Sequence, residues 1–311
     1  MVRRSAQSKG AAGEWATSAR ATGPPAAAGT VRRVSALRQL DRRPLDVAAL
    51  RAGLTAPHGP LKELRVVAQT GSTNADLLAA AEAGAPDRTA LVAEHQQSGR
   101  GRLGREWGSP LHAGLTVSLL LRPTGVPVER LGWLPLLAGL SLRRVVREMA
   151  GLPAALKWPN DLLLGGDDQL KCAGILTELA GSRPPAVVVG IGLNVTTAAD
   201  ELPKGATSLL AQGSGCTDRD VLLVALLRRL CADEAAWRAA TGEPTAVGLR
   251  EDYRAGCATL GSPVRLELPG EAPIHATAED VDDSGRLVVR TSAGIQRTVA
   301  AVDVVHVRHF H

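Results

Sequence analysis

The chain reads as an α+β fold, in which short strands and a few helices run to about residue 255 and a small β-rich unit follows. Three observations predict it. Apolar runs of strand length, separated by Gly, Pro and Asp turn signals, recur from Leu64 to Val195. Two longer segments, Leu131–Met149 and Asp218 to about Ala240, instead repeat apolar residues at helical spacing. From Gly256 onward the texture changes to short β-rich runs at even spacing, the pattern of a small barrel.

In chain order, residues 1–43 are Ala, Gly, Ser, Pro and Arg without apolar periodicity, a composition that buries too little surface to offset its ordering entropy. A disordered tail is expected there, and a short helix with a linker over 44–60. Leu64–Gln69 reads as a strand. Gly71-Ser72-Thr73-Asn74 then opens an Ala/Leu-rich helix that ends at Gly84, with Thr73 and Asp76 spaced as a helix cap. Ala90–Glu94 is a second strand, Ser98–Pro110 a polar loop, and Gly114–Leu121 a third strand. The helix over Leu131–Met149 has Pro135 near its start and Gly151 just past its end. Short apolar segments at Ala154–Trp158, Leu162–Leu164, Leu170–Leu179 and Val187–Val195 read as an antiparallel meander. After the helix from Asp218, a shorter one spans roughly Val247–Ala255, which leaves 61–255 as the main domain and 256–311 as the C-terminal one.

Composition excludes several classes of protein. The chain has 311 residues and 45% apolar content, enough for one large domain or two smaller ones. No apolar run approaches the roughly 20 residues of a membrane span. The net charge of +5 is local: residues 1–40 hold seven bases and one acid, which leaves 29 bases and 30 acids in the rest. The body is thus close to neutral, a poor match to a nucleic-acid-binding protein. Cys172, Cys216, Cys231 and Cys257 form no CxxC pair, which argues against a zinc site or a disulfide framework and fits a reducing cytoplasm. The N-terminus lacks the compact apolar stretch of a secretory signal.

Two features point to chemistry on anions. Ser98-Gly99-Arg100-Gly101-Arg102-Leu103-Gly104-Arg105 alternates glycines, which let backbone N–H groups approach an anion, with arginines, whose planar forks suit phosphate or carboxylate. Similar strings occur in disordered RNA-binding segments, but this one lies between two apolar strands and has no stacking aromatics or repeats beside it. Lysine is scarce, five against 31 arginines, yet Lys157 and Lys171 fall in one predicted hairpin. A compact point charge and a pair of ordinary surface lysines both remain open for them. Asn160 and Asp161 follow Pro159, where turn chemistry alone would account for both. Glu178 and Asn194 stand among apolar residues and need partners if buried. Gly190-Ile191-Gly192-Leu193-Asn194-Val195 lacks the third glycine of a dinucleotide fingerprint and lies in a strand. There is no GxxxxGK[ST] loop and no complete GxSxG elbow.

Taken together, GSTN at Gly71, EHQQSGRGRLGREW at Glu94, LKWPNDLLL at Leu156, LKCAGILTEL at Leu170 and GIGLNV at Gly190 closely resemble biotin protein ligases of the type without a DNA-binding domain. The likeness runs from about Leu64 to Val195 and continues more weakly to about Arg308. It implies a seven-stranded mixed sheet packed with helices, related to class II synthetases, and an SH3-like C-terminal domain. It also implies formation of biotinyl-adenylate from biotin and ATP, with magnesium on the triphosphate and no dedicated protein metal site. Transfer to a lysine of a biotin carboxyl carrier domain would follow, in the cytoplasm, by a monomer or homodimer that needs neither DNA nor membrane. Carried over by position, Ser72, Thr73, Asn74, Gln96, Arg100, Gly101, Arg102, Lys171 and Gly174 would contact biotin or its activated carboxyl group. Arg100, Arg102, Arg105, Trp107, Lys157, Asn160, Lys171 and Asn194 would surround ATP. Arg102, Lys157, Asp161 and Lys171 would act on the reacting centre. Cys172 stands where the family usually has leucine, and His95 precedes the glutamine pair where other residues are common. A lipoate or octanoate ligase of the same fold is the nearest alternative; a nucleic-acid-binding protein using the Arg/Gly loop is the alternative from another class.

Overall fold

The computed structural model describes residues 42–181, 185–267, 272–300 and 303–306. Most of the expected tail therefore lies outside the described residues, as do Pro184 of the expected turn and residues 307–311. Arg42 and Arg43, which belong to the segment read as tail, are among the described residues, and Arg42 pairs with Glu201 at 2.6 Å and donates to Thr196 O at 2.8 Å. Helix α1 (Val47–Leu54) follows, capped by the Asp46 carboxylate on Ala49 N.

The main sheet has seven strands in the order β1-β2-β3-β7-β6-β5-β4. These are β1 (Glu63–Thr70), β2 (Thr89–Gln96), β3 (Gly114–Leu121), β4 (Ala155–Lys157), β5 (Asp161–Leu164), β6 (Leu170–Ala180) and β7 (Ala186–Asn194). β1 and β2 are parallel, joined by the crossover helix α2 (Thr73–Glu82), and every other pair is antiparallel. The expected mixed sheet and its meander, β4 to β7, are thus present. One detail differs: the cap of α2 is Ser72, whose hydroxyl accepts from Ala75 N, so the helix starts at the threonine read as its cap.

Strand alternation separates two environments. Leu115, Val117, Leu119 and Leu121 of β3 face the main core, together with Val187, Val189, Ile191 and Leu193 of β7. That face is covered by helices α3 (Leu134–Val145) and α4 (Arg219–Ala239). α3 is extended at both ends, by a 3-10 turn over Val128–Trp133 and a π turn over Val146–Ala150, and Gly151 closes it at φ +70°. The opposite face is divided. At one end α2 packs Leu77 and Ala81 on Leu120, Val188 and Ala186; at the other the face stays uncovered.

The C-terminal unit is a five-stranded antiparallel sheet, β11-β10-β9-β8-β12, with β8 (Pro263–Glu267), β9 (Ile274–Val281), β10 (Leu287–Thr291), β11 (Gln296–Val299) and β12 (Asp303–His306). It follows α5 (Leu249–Gly256) and meets the turn between β4 and β5. Trp158, buried at the β4–β5 turn, donates from Nε1 to Gly285 O at 3.1 Å, and its backbone N–H reaches Thr259 Oγ1 at 3.0 Å. Trp133 donates to Asp282 O at 3.1 Å. The turn that presents Asn160 and Asp161 is therefore braced from behind by the C-terminal unit.

Candidate active site

The uncovered part of the sheet face is a cleft of about 750 Å³, partly open to solvent. Its floor is Thr116 of β3, Gly190 and Gly192 of β7, and Gly174 and Leu176 of β6. Registers place Thr116, Gly192 and Gly174 side by side across three strands, with Ser118 and Gly190 one pair further along. Small residues are required here. A Cβ on Gly192 would run into the indole of Trp107, and one on Gly190 into the side-chain amide of Asn74.

One wall is the first turn of α2. Ser72, Thr73 and Asn74 are all buried. Gln96 Oε1 accepts from Thr73 N at 2.8 Å and lies 2.9 Å from Thr73 Oγ1, which fixes the end of β2 against the helix. The Ser118 hydroxyl donates to Asn74 Oδ1 at 2.6 Å, and its oxygen lies 2.7 Å from Thr73 Oγ1. Asn74 Nδ2 donates to Leu176 O at 3.1 Å and to Glu178 Oε2 at 2.7 Å. The polar atoms of Asn74 are consequently engaged in tying α2 to β3 and β6. Glu178, expected to need a partner, has Asn74.

The roof is the Arg/Gly loop, which is folded on itself rather than extended. Gly101 N donates to Arg105 O at 2.6 Å and Trp107 N to Gly99 O at 2.8 Å, around a turn in which Leu103 and Gly104 adopt φ +55° and +74°. Arg100, Gly101, Arg102, Arg105, Glu106 and Trp107 all line the cleft. Burial lowers the Arg102 pKa from its ordinary value, opposed by the nearby Asp161 carboxylate and reinforced by Arg105. Arg102 therefore senses both the β4–β5 turn and its own loop.

The far wall holds the charged pair. Lys171 Nζ lies 2.7 Å from Asp161 Oδ1 and 5.8 Å from the centre of the Trp107 ring, in cation–π range. Lys171 is held through its backbone, its N–H donating to Gly205 O and its carbonyl accepting from Thr207 N, both at 2.9 Å. Asn160 lines the same wall while its Nδ2 donates to Ile175 O at 3.0 Å.

Most residues expected at the site thus converge, from five separate segments. Two do not reach the cleft lining. Lys157 is paired with Asp161 in the strand register and lines an adjoining pocket that shares Asn160, Asp161 and Ile175 with the cleft and also includes Tyr253 and Pro135. Asn194 is buried and donates to Thr207 O at 3.0 Å, so it holds the 205–209 segment that in turn holds Lys171. Cys172 is buried too, and burial pushes its thiol up to about 12. Thr116, Ser118, Gly190 and Gly192 were not identified by sequence reasoning as parts of the site. The available signal was glycine at positions i and i+2 of a Val/Ile-rich strand, which marks a close approach from one face.

Residues 66–194 match the model of the biotin/lipoate A/B protein ligase family, and residues 259–307 the biotin protein ligase C-terminal domain. A biotin–[acetyl-CoA-carboxylase] ligase of Mycobacterium tuberculosis is 46% identical over 86% of this chain and 97% of its own. A bifunctional ligase/repressor of Bacillus spizizenii is 33% identical over 76% of this chain and 71% of its own. The Aquifex aeolicus biotin protein ligase, solved in complex with biotin and ATP, superposes with a TM-score of 0.65 at 29% identity over 79% of this chain and all of that one. The chain belongs to the biotin protein ligases, enzymes of the ligase class. The fold and the activity class expected from its motifs are both borne out.

Proposed function

We propose that the cleft carries out ATP-dependent biotinylation in two steps, with the reacting carboxylate and phosphate brought together between the arginine loop and the Lys171–Asp161 pair. The observation that carries this reading is that pair: an ammonium and a carboxylate 2.7 Å apart at the wall facing Arg102, over a floor of glycines. In the first step an oxygen of the biotin carboxylate attacks the α-phosphorus of ATP and pyrophosphate leaves. Two anions must approach, so fixed positive charge and positioning are what the protein supplies. Arg100, Arg102 and Lys171 provide them, while Ser72 and Thr73 face the biotin end. Asn74 acts by holding the wall, since its own amide is engaged. Lys157 acts on the nucleotide from the adjoining pocket that shares Asn160 and Asp161 with the cleft, and Asn194 acts through the segment that seats Lys171.

Magnesium would accompany the triphosphate and screen its charge as the carboxylate approaches. In the second step the neutral amine of a carrier-domain lysine attacks the acyl carbon and AMP leaves. Asp161 orients that amine or accepts its proton, and Lys171 is released to the departing phosphate oxygens. The carrier domain of an acyl-CoA carboxylase fits this chemistry, in the cytoplasm and without DNA. No helix among the described residues is long and apolar enough to cross a membrane.

The test is pyrophosphate release by the purified chain with ATP, magnesium and biotin, lipoate or octanoate, with and without a carrier domain. Release with biotin and AMP release on adding the carrier are expected; silence with biotin and a response to lipoate would overturn the substrate. Asp161→Ala is expected to slow transfer from preformed biotinyl-adenylate by about 10²–10⁴-fold. Transfer at the normal rate would remove the role given to Asp161.

A further inference from the structure

We infer that Arg219 is a positioning residue for the reaction, a clamp that holds both stems of the arginine loop and couples them to the N-terminal segment. Arg219 is the first residue of α4 and lies outside the cleft. Its Nη1 lies 2.7 Å from Glu94 Oε2, two residues before Gln96 and thus on the strand entering the loop. The same nitrogen donates to Gly114 O at 3.2 Å, at the first residue of the strand leaving the loop. Its Nη2 donates to Arg43 O at 2.6 Å. Glu94 uses its second oxygen on the same segment, where Oε1 accepts from Leu45 N at 2.6 Å.

One guanidinium thus ties the entry stem, the exit stem and residues 43–45 together. Both charged side chains are almost fully buried, at 6% and 8% exposure, where an ion pair is weakly screened and its geometry matters most. The exit stem has little slack, because a Cβ on Gly114 would come within 2.9 Å of Leu193 O. Between the stems lie Arg100, Arg102 and Trp107. The loop's place over the cleft therefore depends on a charge pair that lies outside the cleft lining. Lysine cannot replace the fork: one ammonium can serve Glu94 and Gly114 O, as Nη1 does, but not Arg43 O as well, which needs the second nitrogen.

The inference rests on the reading that biotin and ATP bind beneath this loop, and the experiment separates the two. In the full chain, Arg219→Lys and the double variant Glu94→Gln/Arg219→Met, which removes both buried charges, are compared with the wild type. Loop cleavage by trypsin at Arg100, Arg102 and Arg105 needs no ligand and is expected to be about tenfold faster in the double variant and intermediate in Arg219→Lys. The KM for biotin is expected to rise about tenfold in parallel, with kcat per folded molecule less affected. A residue that only stabilises the fold would lower the folded fraction and leave KM and the relative rate of loop cleavage unchanged. That result overturns the clamp. Should the double variant not fold, Arg219→Lys alone decides by the same two readouts. Should the wild type release no pyrophosphate with biotin, the functional reading fails and the cleavage rates judge the clamp.

Discussion

The same face of the main sheet is built in two ways, and the contrast separates what stabilises this protein from what makes it act. Under α2 the face presents Leu120, Val188 and Ala186, all buried, to Leu77 and Ala81. A few residues along the same strands it presents Thr116, Gly190, Gly192 and Gly174 to an open cleft. Strand geometry is unchanged between the two ends; only side-chain volume and polarity differ. The filled end gains burial free energy and offers no space for a ligand. The open end forgoes that burial, and its glycines let an indole and a helix N-terminus approach the backbone closely. Ser118 marks the border, fully buried yet hydrogen-bonded to the α2 turn that forms the cleft wall.

This comparison is broken if substitutions at the two ends have the same consequences. The largest effect is expected at the filled end. Leu120→Ala leaves a cavity in a site that cannot collapse freely, and should lower unfolding free energy by about 2–5 kcal/mol with the KM for biotin unchanged. Chemical denaturation together with initial-rate kinetics checks both halves; a raised KM at full folding would show that the two ends are not separable.

At the border, Ser118→Ala strands the Asn74 carbonyl oxygen without its donor in a buried setting. A loss of about 1–3 kcal/mol is expected, now accompanied by a higher KM for biotin because the α2 wall loosens. An intact KM in that variant would confine the network to stability. The smallest effect on the fold is expected at the open end. Gly192→Ala displaces Trp107 from the floor and should raise the substrate KM by about tenfold, or roughly 1.4 kcal/mol. Its melting temperature should stay level or rise, because the position has no left-handed backbone and alanine reduces the entropy of the unfolded chain. A wild-type KM would mean that the indole position on Gly192 is not part of the binding geometry.

Much of the scaffold was legible in the sequence, for identifiable reasons. The third strand, Gly114–Leu121, has the bounds its apolar run implied, because a buried strand flanked by turn residues allows little variation. The Leu131–Met149 helix was visible through its spacing, although its division into 3-10, α and π turns was not, since those depend on how the ends are packed. The site was legible where motif and chemistry agreed: the arginine loop, Ser72 to Asn74, Asp161 and Lys171 all line the cleft. Two residues expected around the nucleotide stand outside the cleft lining, where their neighbours decide their surroundings. Lys157 and Asp161 are strand partners; Asp161 lines both the cleft and the adjoining pocket, and Lys157 only the latter. Asn194 reads as a polar residue in an apolar strand whether it binds a ligand or, as here, a neighbouring loop.

By itself the amino-acid order determined the alternation of strands and helices, the near-neutral body, the clustering of arginine and glycine in one loop, and the motifs that mark the family. These are local properties, governed by periodicity, backbone freedom and charge over a few residues. Only the tertiary structure decided which atoms meet: Lys171 with Asp161, Trp107 over Gly192, Asn74 spent on Glu178, and Arg219 across both stems of the loop. Lys171 and Asp161 meet across neighbouring strands, and the other three contacts join segments far apart in the chain. Their geometry follows from strand register and helix docking, which no short stretch of sequence encodes.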